Sequence, residues 1–223
     1  MYLLPLIMIH VALKYLMNLL SCVALCFCAS SIMGILTDQI TMRICLEYFT
    51  EGFHKPLNDT NPFLVFFNKN FKDDITVQAI AWGIFATYIL GLSFGGVLFL
   101  LNFLPYKNPP VKYKNIIFII LLGLPLVLVC NFLVGYIIYA SKFKNLNNDN
   151  LYKTMLGFNI SKTKTDFLSN RNLCLKYLYC ASVHWAAYIF GPILGAVVLL
   201  YVIYKRFIPK FGTKKEEETV TIS

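Results

Sequence analysis

Charge is what this chain has least of. Asp, Glu, Lys and Arg make up 14% of its 223 residues, against roughly 25% in a soluble domain. A soluble globular domain is excluded on that ground. Histidine is scarce too: His10, His54 and His184 are the three copies, and they sit on separate segments. No His/Cys set has metal-ligand spacing, no glycine-rich phosphate loop occurs, and no apolar run holds a pair of carboxylates. The expectation is a protein without catalytic residues, metal or cofactor, and so not an enzyme. The net charge of +9 is spread over loops and tail, without a basic helix or zinc spacing, which argues against nucleic acid as a partner. A basic chain of this kind suits the anionic surface of a lipid bilayer.

What the chain does have is apolar length. It is 58% hydrophobic and 16% aromatic, with a mean hydropathy of +0.64. A bilayer crossing needs about 20 apolar residues. Four runs meet that need, with spans over about 15–36, 75–104, 115–140 and 177–204. The expected fold class is an all-α membrane protein, a four-transmembrane-helix bundle over residues 1–206 with a tail at 207–223. Met1–Leu13 reads as an interfacial or helix-extending segment before an uncleaved first span. It lacks the positive start and small-residue cleavage site of a signal peptide. Thr37–Asp74 and Lys142–Lys176 read as two polar outer loops. Pro105–Lys114 is a short proline-rich turn, which makes the second and third spans antiparallel neighbours. In the first loop, Phe63, Phe66, Phe67 and Phe71 suggest a short helix lying on the membrane or on the span ends.

Lys14, Lys107, Lys112, Lys114, Lys205, Arg206, Lys210, Lys214 and Lys215 fall on one side of this arrangement. The positive-inside rule makes that side cytosolic, with both termini on it. Two glycosylation sequons, Asn58-Asp59-Thr60 and Asn159-Ile160-Ser161, then lie on the opposite side, where glycans are added. Cys22, Cys26, Cys28, Cys130 and Cys180 lie within apolar runs, where cysteine behaves as a small hydrophobe. Cys45 and Cys174 lie in or beside the loops and form the natural pair for one disulfide.

Within the spans, Gly91 and Gly95, and again Gly191 and Gly195, repeat at a four-residue spacing. Small residues so placed let helix backbones approach closely, either inside the chain or between copies in a homo-oligomer. His184 reads as a hydrogen-bonding tie between helices. No second titratable group besides Tyr and Cys is expected at its depth. Asn18, Asn102 and Asn131 read as similar polar glue.

Two resemblances emerge. His184-Trp185, Tyr188, Gly191-Pro192 and Gly195-Ala196 look like the last span of aquaporins. That family also carries paired Asn-Pro-Ala half-helices, and the Asn-Pro pairs here, Asn61-Pro62-Phe63 and Asn108-Pro109-Pro110, lie in charged loops. The order of spans, loops and turn resembles the claudin-like four-span superfamily, and within it the clarins. Ala140-Ser141-Lys142-Phe143-Lys144-Asn145-Leu146 is similar to the clarin exit from the third span. Ala181-Ser182-Val183-His184-Trp185-Ala186 is similar to a patch in the clarin fourth span, and Gly212–Thr221 to an acidic clarin tail. Asn58 falls where clarins carry a glycan. Thr37-Asp38-Gln39-Ile40-Thr41 stands where claudin-like proteins place a Trp-bearing signature, and Cys45 stands alone in the first loop.

The clarin resemblance implies a non-enzymatic plasma-membrane protein that organises or traffics membrane and cytoskeletal assemblies, including those of sensory cells. Its expected partners are the lipid bilayer and other membrane or cytoskeletal proteins. An auxiliary subunit of an ion channel is the alternative, and an aquaporin-like pore a further one.

Overall fold

Each apolar run becomes one long helix, and the loops between them are helical as well. The computed structural model describes residues 3–71, 73–106, 108–160 and 165–208. Most of the tail, with Lys210, Lys214 and Lys215, lies outside them, as do Lys107 and Ser161. In chain order the helices are α1 (Leu3–Ile44), α2 (Glu47–Thr50), α3 (Lys55–Thr60), α4 (Pro62–Asn70), α5 (Ile75–Phe103), α6 (Tyr113–Lys142), α7 (Asn148–Gly157), α8 (Thr165–Ser169) and α9 (Arg171–Phe207). Of these, α1, α5, α6 and α9 are long and apolar enough to cross a membrane. The protein is an all-α, multi-pass membrane bundle of four helices.

The first span departs from expectation. α1 is continuous over 42 residues, roughly 60 Å at 1.5 Å per residue, about twice the hydrocarbon thickness. Of the two readings of the stretch before it, the helix-extending one holds: from Leu3 on, those residues belong to the same helix. At the other end α1 runs past Leu36 through Asp38 to Ile44, into the stretch expected to be loop. The polar residues there do not end the helix because they are buried: Thr37, Asp38 and Thr41 pack inward. Thr37 and Thr41 donate to the carbonyls one turn back, at 3.0 Å each.

Short side chains set the other helix starts. Asn61 caps α4, accepting from the amides of Phe63 and Leu64, and Pro62 occupies the first position, where no amide is needed. Asp74 caps α5, Asn147 caps α7 and Asn170 caps α9 in the same way. α7 ends in a Schellman turn. The Asn159 amide donates to Leu156 O and the Ile160 amide to Met155 O, with Asn159 at φ 61°.

Two antiparallel pairs build the bundle, α1 with α5 and α6 with α9. Glycine makes the first seam. A Cβ on Gly91 would sit 2.7 Å from Phe27 Cα, and one on Gly95 2.5 Å from Val23 Cα. Gly83 and Gly34 meet each other farther along the same seam. In the second pair, a Cβ on Gly135 would sit 2.7 Å from Val183 Cα. At the end carrying the α5–α6 turn, Cys22, Leu98, Ile116 and Val202 form one core. At the loop end, Met42, Phe49, Trp82, Tyr177 and Leu178 form another.

The turn end carries a lock of its own. The Asn102 side chain donates to Val111 O and accepts from Val111 N, tying α5 to the start of α6. Arg206, one of the basic residues that mark the expected cytosolic side, is 1% exposed. Its guanidinium donates to the carbonyls of Asn102 and Leu104, at the α5 C-terminus. Carbonyls there have no helical partner, and the helix dipole favours a cation beside them.

Candidate functional site

The site is built where α1 outruns its expected length. Asp38 and Thr41 are one turn apart on α1, and His184 faces them from α9. His184 is 6% exposed and Asp38 2%. His184 Nε2 lies 3.2 Å from Thr41 Oγ1 and 3.5 Å from Asp38 Oδ1. The Thr41 hydroxyl proton is directed at Thr37 O, so its oxygen is free to accept from Nε2–H. That arrangement satisfies an imidazole that carries its proton on Nε2. The expectation that no titratable group stands at the depth of His184 is therefore corrected. Asp38 is that group, and it went unseen because it closes an apolar run and reads as the first loop residue.

Aromatic rings cover this pair. Tyr48 and Phe49 of α2 turn down onto the bundle. The Tyr48 ring stacks on His184 at 4.8 Å and 26°, and Phe49 meets it edge-on at 5.6 Å. His54 lies above, 4.6 Å from Tyr48 and 5.2 Å from the Trp82 ring. Burial lowers the His54 pKa to about 4, against a smaller opposing pull from the Tyr48 backbone. Burial likewise pushes the Tyr48 phenol well above its ordinary value. The loop end is thus a plug of packed aromatic rings in which His54 is neutral at neutral pH.

Below the pair, toward the membrane centre, a cavity of about 430 Å³ runs between all four spans, α1, α5, α6 and α9. Asp38, Thr37 and His184 line one end of it, and Met33, Leu90, Phe94 and Leu124 are among its apolar walls. Gly191 and Gly195, expected to be a close-packing pair, divide here. A Cβ on Gly195 would collide with the Phe94 ring, at 2.5 Å from Cε1. One on Gly191 would meet Leu90 Cδ2 alone, at 3.8 Å. Gly191 faces the cavity, not a helix. Gly91 and Gly95 are buried against the α1 backbone, so they are spent on intramolecular packing.

The other expected residues are placed as follows. Cys45 and Cys174 are not joined; both are free, buried thiols. Cys45 Sγ donates to Glu47 Oε2 and Cys174 Sγ to Phe167 O, each at 3.4 Å. Burial and then the neighbouring Glu47 push the Cys45 pKa up to about 12, so its reactive thiolate form is suppressed. Asn58 is 8% exposed, donates to Phe49 O at 2.9 Å and accepts from Asn68 Nδ2 at 2.8 Å. A glycan does not fit that packing: the amide is enclosed and holds α3 against α2. Asn159 is exposed at its turn. Of the polar-glue candidates, Asn102 is bonded on both atoms, Asn18 contributes its carbonyl to Tyr113, and Asn131 is buried without a partner among the described residues. Comparison with known protein families, curated proteins and solved structures returns no match.

Proposed function

We propose that this is a non-enzymatic four-span protein that organises or traffics membrane and cytoskeletal assemblies, as the clarin resemblance implies. In this reading it sits in the plasma membrane with both termini cytosolic and the loop end outside. The observation that supports it is the outer face of α4. Leu64 is buried against the bundle, whereas Phe63, Val65, Phe66 and Phe71 stay exposed, Phe66 at 57%. Apolar rings held outward on a capped helix above the spans form a surface suited to another membrane protein. The loops supply rigidity, since α2 and α3 are plugged into the bundle by Tyr48, Phe49 and Asn58. A clarin-like function in sensory cells belongs to the same proposal and rests on the sequence resemblance.

Crosslinking mass spectrometry in native membranes tests the reading. Reproducible crosslinks to membrane or cytoskeletal proteins are expected, and the paired change Phe63→Ser with Phe66→Ser should remove those through α4 while leaving insertion intact. Water or ion flux into vesicles holding this chain alone would instead establish a pore.

A further inference from the structure

We propose that the cavity between the four spans binds one membrane-soluble lipid alcohol, its hydroxyl donating to the Asp38 carboxyl and its apolar body lying along Phe94 and Leu124. Three observations carry this, independently of the partner reading above. The first is size and lining. The cavity measures about 430 Å³, within the roughly 300–1,000 Å³ of small-molecule sites, which combine apolar walls with a few placed polar groups.

The second is a buried carboxyl held by one long contact. Asp38 is 98% buried, lines the cavity, and pairs with His184 Nε2 at 3.5 Å, with Tyr48, Cys180 and Tyr188 within electrostatic reach. That distance is long for a hydrogen bond, and Thr41 Oγ1 lies nearer to Nε2, at 3.2 Å. Buried polar groups are hydrogen-bonded as a rule, so this carboxyl calls for a donor. Pro192 adds a second acceptor on the same wall. It has no amide proton, and the Tyr188 carbonyl one turn back loses its helical donor.

The third is the way in. Ile89 and Tyr188, on the cavity wall, are exposed to the surroundings of the bundle, and Gly191 leaves open space between α9 and Leu90. The opening faces the bilayer, with the loop end closed by Tyr48 and Phe49. The ligand therefore arrives from lipid.

These features select the headgroup. A fatty acid would set a carboxyl against Asp38 with no cation nearby. An ammonium has three protons to place, one more than the Asp38 carboxyl and the Tyr188 carbonyl together take up. A single hydroxyl matches it, and one polar atom on an apolar body describes a sterol or a long-chain alcohol.

The test uses the full chain in nanodiscs, labelled with a photoreactive, clickable cholesterol analogue. Saturable labelling is expected, mapping to peptides of α1, α5, α6 and α9, and competed by unlabelled cholesterol but not by palmitate or a long-chain amine. Asp38→Leu should weaken labelling about tenfold, as loss of a buried hydrogen bond does. Gly191→Phe, whose Cβ would meet Leu90 Cδ2 alone at 3.8 Å on the cavity wall, should abolish it with the Asp38–His184 pair intact. Helical content and monodispersity report folding of each variant. Non-saturable labelling, or labelling unchanged in Gly191→Phe, overturns the site. Stronger competition by the amine or by palmitate overturns the assignment of an alcohol.

Discussion

Two residues of the loop cap show how much a single position carries. Gly52 sits at φ +60°, and a Cβ there would come within 2.6 Å of both Phe158 O and the Tyr177 hydroxyl oxygen. It is the point where the first loop touches the second. Gly52→Ala should destabilise the protein by about 2 kcal/mol or more, from left-handed backbone cost plus the clash. Gly157→Ala, with nothing within 4 Å of the added carbon, should be neutral or slightly stabilising. Thermal midpoints in one detergent compare the two. His54 makes a pH prediction. Its folded pKa of about 4 lies below the 6.5 of an ordinary histidine, so the unfolded chain takes up the proton first. Stability is full above about pH 6.5 and falls as pH drops toward 4, by up to about 3 kcal/mol. His54→Phe should flatten that part of the profile. Matching profiles for variant and parent would show that His54 is not the group.

Among the elements, the α1–α5 seam is the least forgiving. Gly91→Leu and Gly95→Leu each drive a side chain into α1 backbone, and each should abolish monodisperse protein in fluorescence-detected size exclusion. Gly96 is the control on the same helix, because a Cβ there meets nothing within 4 Å; Gly96→Leu should behave as the parent. If all three behave alike, close backbone approach does not hold the pair together. Small residues matter here because a membrane offers little hydrophobic drive between helices, leaving dispersion at short range. The four-residue spacing marked Gly91 and Gly95 correctly as packing residues. It marked Gly191 equally, although Gly191 faces a cavity. Spacing says which residues share a face, and the neighbour across that face decides whether the face is packed.

For the whole molecule, the two loops and four spans form one connected body. Phe158 contacts Tyr177 at 5.6 Å and stacks on Trp185 at 6.0 Å, and Arg171 donates to Asn148 and Leu146. This folding together separates the two sequons. With the loop end outside the cytosol, as proposed, Asn159→Gln should remove the mobility shift on deglycosylation, and Asn58→Gln should leave it unchanged. A shift lost in Asn58→Gln alone would mean the α2–α3 packing forms after, or without, the enclosure of that amide.

Composition and run length alone determined the membrane class, the four spans, the short turn and the helical character of the chain. These follow from local cost: backbone polar groups in lipid must bond within their own segment, so an apolar run of this length becomes a helix. His184 was visible for a related reason, as a polar residue where burial is unavoidable. Where α1 ends was not visible. A charged residue ends an apolar run by any local rule, and Asp38 stays inside because α9 brings His184 to it from the far end of the chain. The burial of Arg206 against α5, the enclosure of Asn58 and the separation of Cys45 from Cys174 are of the same kind. Each depends on which distant group shares the space, and only the tertiary structure decides that.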